Sequence, residues 1–393
     1  MDQRTPGARE IAPDVARGLA LALIAVANSM LYLHGRPYGV RQHLSDQQGV
    51  DAWVSLVSVA AVEGRIYPLF GLLLGYGIAM TARGASRAVY RVRLRGRGLA
   101  LLAFGAVHAT LLFSGEVLGL YGLLTLLIIP VLAMPSRRLL GLAAVSLLVL
   151  SVPQALSYAE VGPTHQRSVL WSIGIEDPWL ALLWRGPEWL MTIIGMSSVV
   201  SAVLVGVWWC RFRHDSPPGE RGPMLARVAA LGAGIGLVGG VPAALAAGGF
   251  WHIEDTSTAQ AVLYLHTVTG LVGGIGYAAG VAWWCQRPRF RVTRGVRLLR
   301  SVGQRSLTCY LLQSVGMVVV LPAWTLGIGG RLGPAGAAGF GLAVYAGTAV
   351  IVVLLGSRGR RPAETALRRL ASRWGRERAT TSPPLPQGAT MDP

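Results

Sequence analysis

Residues 259–285 read AQAVLYLHTVTGLVGGIGYAAGVAWWC, and residues 286–305 continue QRPRFRVTRGVRLLRSVGQR. The first stretch is uncharged and longer than the roughly 20 apolar residues that cross the hydrocarbon layer as a helix. The second holds seven arginines. An apolar run closed by tryptophans and then arginines is the signature of a helix leaving a bilayer on its cytoplasmic side. Nine comparable runs lie near Val15–Leu33, Trp53–Ala82, Gly98–Phe113, Val117–Met134, Leu139–Ser157, Trp189–Cys210, Met224–Ala247, Ser306–Gly327 and Ala335–Ser357. The expectation is an all-α, polytopic transmembrane bundle of about ten spans.

Arginine placement sets the orientation. The chain has no lysine, so all 36 basic residues are arginines. With the N-terminus inside, thirty of them fall on inner segments. Five (Arg36, Arg41, Arg167, Arg185 and Arg331) fall on outer ones, and Arg65 falls within a span. The alternation holds through every connection. It predicts both termini inside a bacterial cytoplasmic membrane, with the basic face on an anionic inner leaflet. Hydrophobic residues make up 52% of the chain and charged ones 14%, more apolar surface than a soluble domain of this length hides. The net charge of +18 therefore speaks for a membrane surface rather than for nucleic acid. A cleavable signal ending near Ala25-Val26-Ala27 is the competing reading of the first run; its apolar continuation to Leu33 favours an uncleaved span.

Residues 1–357 are read as the membrane domain and residues 358–378 as an arginine-rich amphipathic helix. That helix places Leu367, Leu370, Ala371 and Trp374 on one face and suits the inner membrane surface. Residues 379–393, rich in Thr, Ser and Pro, read as a disordered tail. The longest outer connection, Tyr158 to Glu188, holds Trp171, Trp179, Trp184, Glu160, Glu176 and Asp177 and is expected to cap an outer cavity. Cys210, Cys285 and Cys309 are too few and too scattered for a disulfide framework or a thiolate metal site. Gly232, Gly236 and Gly240 lie four apart, as do Gly270 and Gly274, then Gly276 and Gly280. This spacing suits close helix approach in lipid rather than a phosphate loop.

A charge at mid-bilayer costs about 2.5–3.5 kcal/mol, so intramembrane polar groups need a partner or a use. Glu63 and Arg65 fall near the middle of the second run. Two apart on a helix, they cannot face each other, so each is expected to meet another element, in a structural ion-pair network or in a functional site. His108 and His266 lie at similar depth, about 9 Å from the outer end at 1.5 Å per residue, and suit one outward-facing cavity. A neutral histidine serves as general base, proton relay or ligand; for His266 a hydrogen bond between helices is the preferred reading. Glu116, in the turn after the third run, is expected to reach the layer of His108. Asp14 and Arg17 stand one turn apart at the inner edge of the first run, with Asn28 further up. Tyr310, Gln313 and Ser314 make the inner half of the ninth run polar. No spacing is that of a metal site, and no metal is expected.

Residues 14–21 (DVARGLAL), 65–77 (RIYPLFGLLLGYG), 115–122 (GEVLGLYG) and 303–314 (GQRSLTCYLLQS) resemble the YeiB-like bacterial integral membrane proteins, a family catalogued as a domain of unknown function. That family usually has aspartate where Glu116 stands and asparagine where Cys309 stands. Its closing Gly-Pro-x-Glu-Trp motif survives here only as Arg361-Pro362-Ala363-Glu364. The resemblance implies a multi-span fold without a settled activity. The opening motif is also similar to that of transmembrane acyltransferases of the heparan glucosaminide acetyltransferase type. That likeness implies acyl-CoA as inner co-substrate and an outer or lipid-linked acceptor. It implies His108 as general base, Arg17 (beside Asp14) at the donor phosphates, and Glu63 or Arg65 orienting the reacting groups. Two other readings stay open. One is a transporter or exporter of a small metabolite or lipid, in which Glu63, Arg65 and His266 relay protons. The other is a non-catalytic component that assembles through its glycine faces. The acyltransferase ranks first.

Overall fold

The computed structural model describes residues 11–159, 167–215, 218–287, 289–355 and 361–380. Arg4, Arg9, Glu160, Arg358, Arg360 and residues 381–393 of the expected tail lie outside them. Helix α1 (Ile11–Leu31) takes the first apolar run, and α2 (Val50–Ala61) and α3 (Ile66–Ala82) share the second. Next come α4 (Arg87–Leu111), α5 (Leu118–Val131) and α6 (Ser136–Ser157). Helices α7 (Pro178–Gly195) and α8 (Val199–Asp215) meet at a 55° bend. The chain continues through α9 (Pro218–Ala247), α10 (Thr256–Gln286), α11 (Arg294–Gln304), α12 (Ser306–Val320), α13 (Pro334–Leu354) and α14 (Pro362–Thr380). Among the described residues the β pairing is a single bridge, Tyr38 to Leu44.

Among the described residues, six stretches are long and apolar enough to cross a membrane: α1, α2 with α3, α6, α9, α10 and α13. Counting bent α7 and α8 as one span makes seven. The remaining expected runs fall on α4, whose first half is arginine-rich, and on α5 and α12, which are apolar but shorter. Much of the apolar surface faces outward. Val145, Leu148, Val149 and Val152 on α6, Leu231 and Val238 on α9, and Val353 and Leu354 on α13 are exposed. Such continuous apolar faces mark a surface made for lipid rather than water.

The second run is not one continuous helix. The chain turns at residues 62–65, where Gly64 has φ +76° and a Cβ would stand 2.9 Å from Nε2 of His266. Both the left-handed backbone and the contact with α10 require glycine. Helical spacing between Glu63 and Arg65, expected from sequence, therefore does not apply.

The glycine spacings act where α9 and α10 touch. Added Cβ atoms at Gly232 and Gly276 would meet each other's backbones, and those at Gly236 and Gly273 likewise. Gly270 and Gly274 face the turn instead, against the backbones of Gly64 and Arg65. At the other side of the bundle Gly18 of α1 lies on the backbone of Leu299 in α11, and Gly303 lies on that of Asp14. Helix α14 packs on α4, with Gly96 against the Ala371 carbonyl, while Ala363 and Leu367 join the core around α1 and α12.

Candidate functional site

Helix ends carrying arginine converge at one end of the bundle. Arg211, closing α8, donates to the carbonyls of Leu132 and Met134 just past α5, at 2.7 Å each. At this end a cavity of about 360 Å³ lies between α1, α3, α4, α12 and α14. Arg17, Arg97, Arg361 and Arg368 line it together with Gln304 and Glu364. Further in, its walls are Leu21, Ile24, Leu73, Leu101, Leu118 and Leu307, with Tyr121 and Tyr310 beyond them.

The rim is held by a chain of polar contacts. Arg17 Nη1 lies 3.4 Å from Asp14 Oδ1, and Gln304 Nε2 donates to Asp14 Oδ2 at 3.1 Å. Arg361 Nη2 donates to Gln304 Oε1 at 3.0 Å. The carboxylate of Glu364 accepts from the backbone N–H groups of Leu307 (3.0 Å) and Thr308 (3.1 Å) and from the Thr308 hydroxyl (2.6 Å). It thus caps the start of α12, where the helix dipole favours an anion. The negative charge is engaged there, and the four arginines set the sign of the cavity.

His108 lies behind the far wall. Its ring is 5.1 Å from that of Tyr310, tilted by 34°. The residue is buried, and neither ring nitrogen has a hydrogen-bond partner among the described residues. One turn along α12 from Tyr310, both amide atoms of buried Gln313 also lack partners, as does the hydroxyl of Tyr32. An unpaired buried polar group costs about 1–3 kcal/mol, so a cluster of them points to a function rather than to stability. Asn28 leads toward the same wall. Its Oδ1 accepts from the Tyr67 hydroxyl at 2.7 Å, and the Tyr67 carbonyl accepts from Tyr121, which lines the cavity.

Glu116 does not reach His108. Its carboxylate accepts from the N–H groups of Leu118 and Gly119 (2.9 Å for the latter) and from Trp189 Nε1 at 2.6 Å. It anchors the start of α5 to α7. Burial in this connection pushes its pKa up to about 7, with the three N–H donors pulling the other way.

Glu63, Arg65 and His266 form a separate group at the turn between α2 and α3. Glu63 accepts from Arg41 Nη2 (2.8 Å) and Nε (3.2 Å), from the Ser58 hydroxyl (3.0 Å), and contacts His43 Nε2 at 2.9 Å. His43 continues to Ser55 through Nδ1 at 3.0 Å, and Ser55 donates to Gln47 at 2.6 Å. Arg65 donates to the carbonyls of Val59 (2.8 Å), Glu63 and Gly236, and its Nη1 lies 3.4 Å from both ring nitrogens of His266. None of these contacts involves His108, so the two histidines do not share a cavity. Arg41 and His43 are the partners that sequence reasoning missed. They sit in the loop after α1, where neither apolar period nor motif marks them.

Residues 211–373 match a family model described as protein of unknown function (DUF418). The match supports the DUF418, YeiB-like family. The DUF418 segment runs from the end of α8 into α14 and so holds Tyr310, Gln313, Arg361 and Glu364 of the cavity region. Arg17, Arg97 and His108 come from the part of the chain before it. A search of the curated proteins found no match.

Proposed function

We propose that this DUF418 protein is a transmembrane acyltransferase of ten spans, with both termini inside a bacterial cytoplasmic membrane. It takes an acyl group from acyl-CoA at its inner face and passes it to an outer or lipid-linked acceptor. One observation supports this reading: a cavity rimmed by four arginines runs along apolar walls to Tyr310, whose ring lies on unpartnered His108. Arginines suit the phosphates of coenzyme A, and the leucine walls suit an acyl-pantetheine arm. Arg97 and His108 stand on the same helix, about 16 Å apart at 1.5 Å per residue, which sets the distance the arm must reach.

The chemistry assigned to these residues balances without a further reactant. The imidazole takes the proton of the acceptor hydroxyl or amine as that atom attacks the thioester carbon. The C–S bond breaks, the proton passes to the departing sulfur, and coenzyme A leaves as a free thiol. Gln313 and Tyr32 supply donors for the carbonyl oxygen as it gains charge. His108 stands one ring behind the cavity wall, so Tyr310 must turn aside for the transfer. Glu63, Arg65 and His266 hold the broken span against α9 and α10 in this account.

The test is thermal stabilisation of detergent-purified protein by acetyl-CoA and longer acyl-CoAs, with coenzyme A as control. Stabilisation that weakens in Arg17→Ala and Arg97→Ala supports the donor site. No shift with any acyl-CoA, in protein shown to be folded, sinks the reading and moves it to transport, which substrate counterflow in liposomes then checks.

A further inference from the structure

Among the described residues, three that are not glycine have left-handed backbone: Arg41 (φ +60°), Gln42 (φ +61°) and Leu170 (φ +60°). All three lie at the end of the bundle away from the arginine-rimmed cavity, in the loop after α1 and in the segment before α7. Such backbone is strained for a bulky side chain, and strain of this kind gathers at clamps and moving segments. The two places are joined. The Gln42 amide donates to the Ser168 hydroxyl at 3.1 Å and accepts from the Ser168 N–H at 3.2 Å. Glu63 pins the loop itself through Arg41 and His43. The other partner, residues 167–174, ends in a single 3₁₀ turn, Trp171–Gly174.

Residues 167–174 enter the bundle like a stopper. Leu170 and Ile173 are buried in one apolar cluster with Tyr32, Phe113, Met317, Val318 and Leu321. Met317 stands one turn beyond Gln313 on α12, and Gln313 one turn beyond Tyr310. The Phe113 N–H donates to the His108 carbonyl at 3.0 Å, and the Phe113 ring stacks on Tyr32 at 5.1 Å. The segment thus closes a column that leads inward to the Tyr32 hydroxyl, Gln313 and His108. One carboxylate fastens it. Glu188 of α7 accepts from the Ser172 N–H and hydroxyl, at 2.6 Å each, and from the Ser114 hydroxyl past α4 at 2.5 Å. A backbone bond from Ala323 to the Ile173 carbonyl, 3.0 Å, adds to it. We propose that residues 167–174 are a plug that withdraws and opens this column to the side opposite the donor cavity, with Glu188 as the latch. Two substrates then reach one base from opposite ends, the donor along the arginine-rimmed cavity and the acceptor past the plug. What the opening admits rests on the acyltransferase reading; the opening itself does not. Burial of Leu170 and Ile173 and the Glu188 hydrogen bonds favour closure. Relief of the left-handed Leu170 and new partners for the polar groups beneath favour withdrawal. Opposed terms of this kind make a two-state element.

The experiment uses full-length protein in mild detergent, with Met317→Cys as a reporter beneath the plug. A charged methanethiosulfonate reagent is added, and its labelling rate is read peptide by peptide by mass spectrometry. With the latch intact, the reporter is expected to label slowly. Glu188→Ala removes the carboxylate, while Ser114→Ala with Ser172→Ala keeps it and removes both hydroxyls that reach it. Each is expected to speed labelling of the reporter by roughly tenfold or more, since hydrogen bonds to a charged group are lost. Native Cys309, buried about two turns nearer the donor cavity on α12, should stay unlabelled in both. The same reporter rate with and without the latch would overturn the proposal. So would labelling of Cys309 alongside the reporter in both variants, since the bundle rather than the plug would then have opened. The measurement needs neither donor nor acceptor. Faster labelling in a protein that transfers no acyl group would therefore uphold the plug and remove only the acyltransferase reading.

Discussion

The imidazole of His108 lies 5.1 Å from the ring of Tyr310, and both of its nitrogens are buried without a hydrogen-bond partner among the described residues. One residue comes from a helix that begins in arginines, the other from a helix whose start is capped by Glu364. Together they place an unpartnered imidazole one ring behind the wall of an arginine-rimmed cavity.

His108 should cost stability rather than supply it. Replacing it with phenylalanine, which keeps a ring against Tyr310, removes two unpaired polar atoms. The expected result is a folded protein that is as stable or more stable, by up to about 2 kcal/mol, read from denaturant or thermal unfolding in detergent. A loss of more than about 1 kcal/mol would mean that the imidazole has partners in the folded protein.

Glu116 gives stability a pH dependence. Its folded pKa is pushed up to about 7 from an ordinary 4.5. The folded chain therefore keeps a proton that the unfolded chain has released. Its contribution is fully present below about 4.5 and is lost as pH rises through about 7, by up to about 3 kcal/mol. Melting temperature measured from pH 4.5 to 8 should fall more steeply in the wild type than in Glu116→Gln. Parallel curves would remove Glu116 as the titrating group.

The seam of α9 and α10 should separate glycines that pack from those that do not. Gly276→Val drives a side chain into the backbone of Gly232 and should destabilise by about 3 kcal/mol or more. Gly234→Ala meets open space and should be neutral or stabilising by up to about 1 kcal/mol. Similar effects from both would show that the helices do not approach this closely.

Glu364 should couple the last helix to the cavity. Glu364→Ala removes the acceptor of three donors at the start of α12, a cap loss of about 1–2 kcal/mol. It should also free α14, seen as faster hydrogen exchange in residues 362–375 and weaker acyl-CoA binding. Unchanged exchange there would show that α14 is held by its packing on α4 alone.

The sequence carried the helices because lipid demands long apolar runs, and each expected run found a helix or a helix pair. It did not carry the turn at residues 62–65. The left-handed Gly64 is one glycine among many, and its apolar neighbours read as uninterrupted helix. Glycine spacing picked out Gly232, Gly236 and Gly276 as packing positions without pairing them, and it passed over Gly273, which has no glycine four residues away. Asp14, Arg17, Asn28, Tyr310 and Gln313 were legible as polar residues where lipid forbids them, and the structure brings them to or beside one cavity. Arg97 and Arg368 were counted only as inner-face charge, and Arg361 otherwise only as the first residue of an eroded motif, since nothing local distinguishes an arginine that lines a cavity from one that orients a span. Glu63 and Arg65 were legible as needing partners, but Arg41 and His43 sit in a loop and became visible only in the fold.

The most direct measurement is release of free coenzyme A thiol from acyl-CoA by the protein in liposomes made from bacterial lipid extract, comparing wild type with His108→Gln. The account predicts thiol release by the wild type. It predicts a loss on the order of 10²–10⁴-fold in the variant, as removal of a general base costs, with acyl-CoA binding retained. Thiol release by His108→Gln at the wild-type rate, or none from folded wild type that binds acyl-CoA, would contradict it.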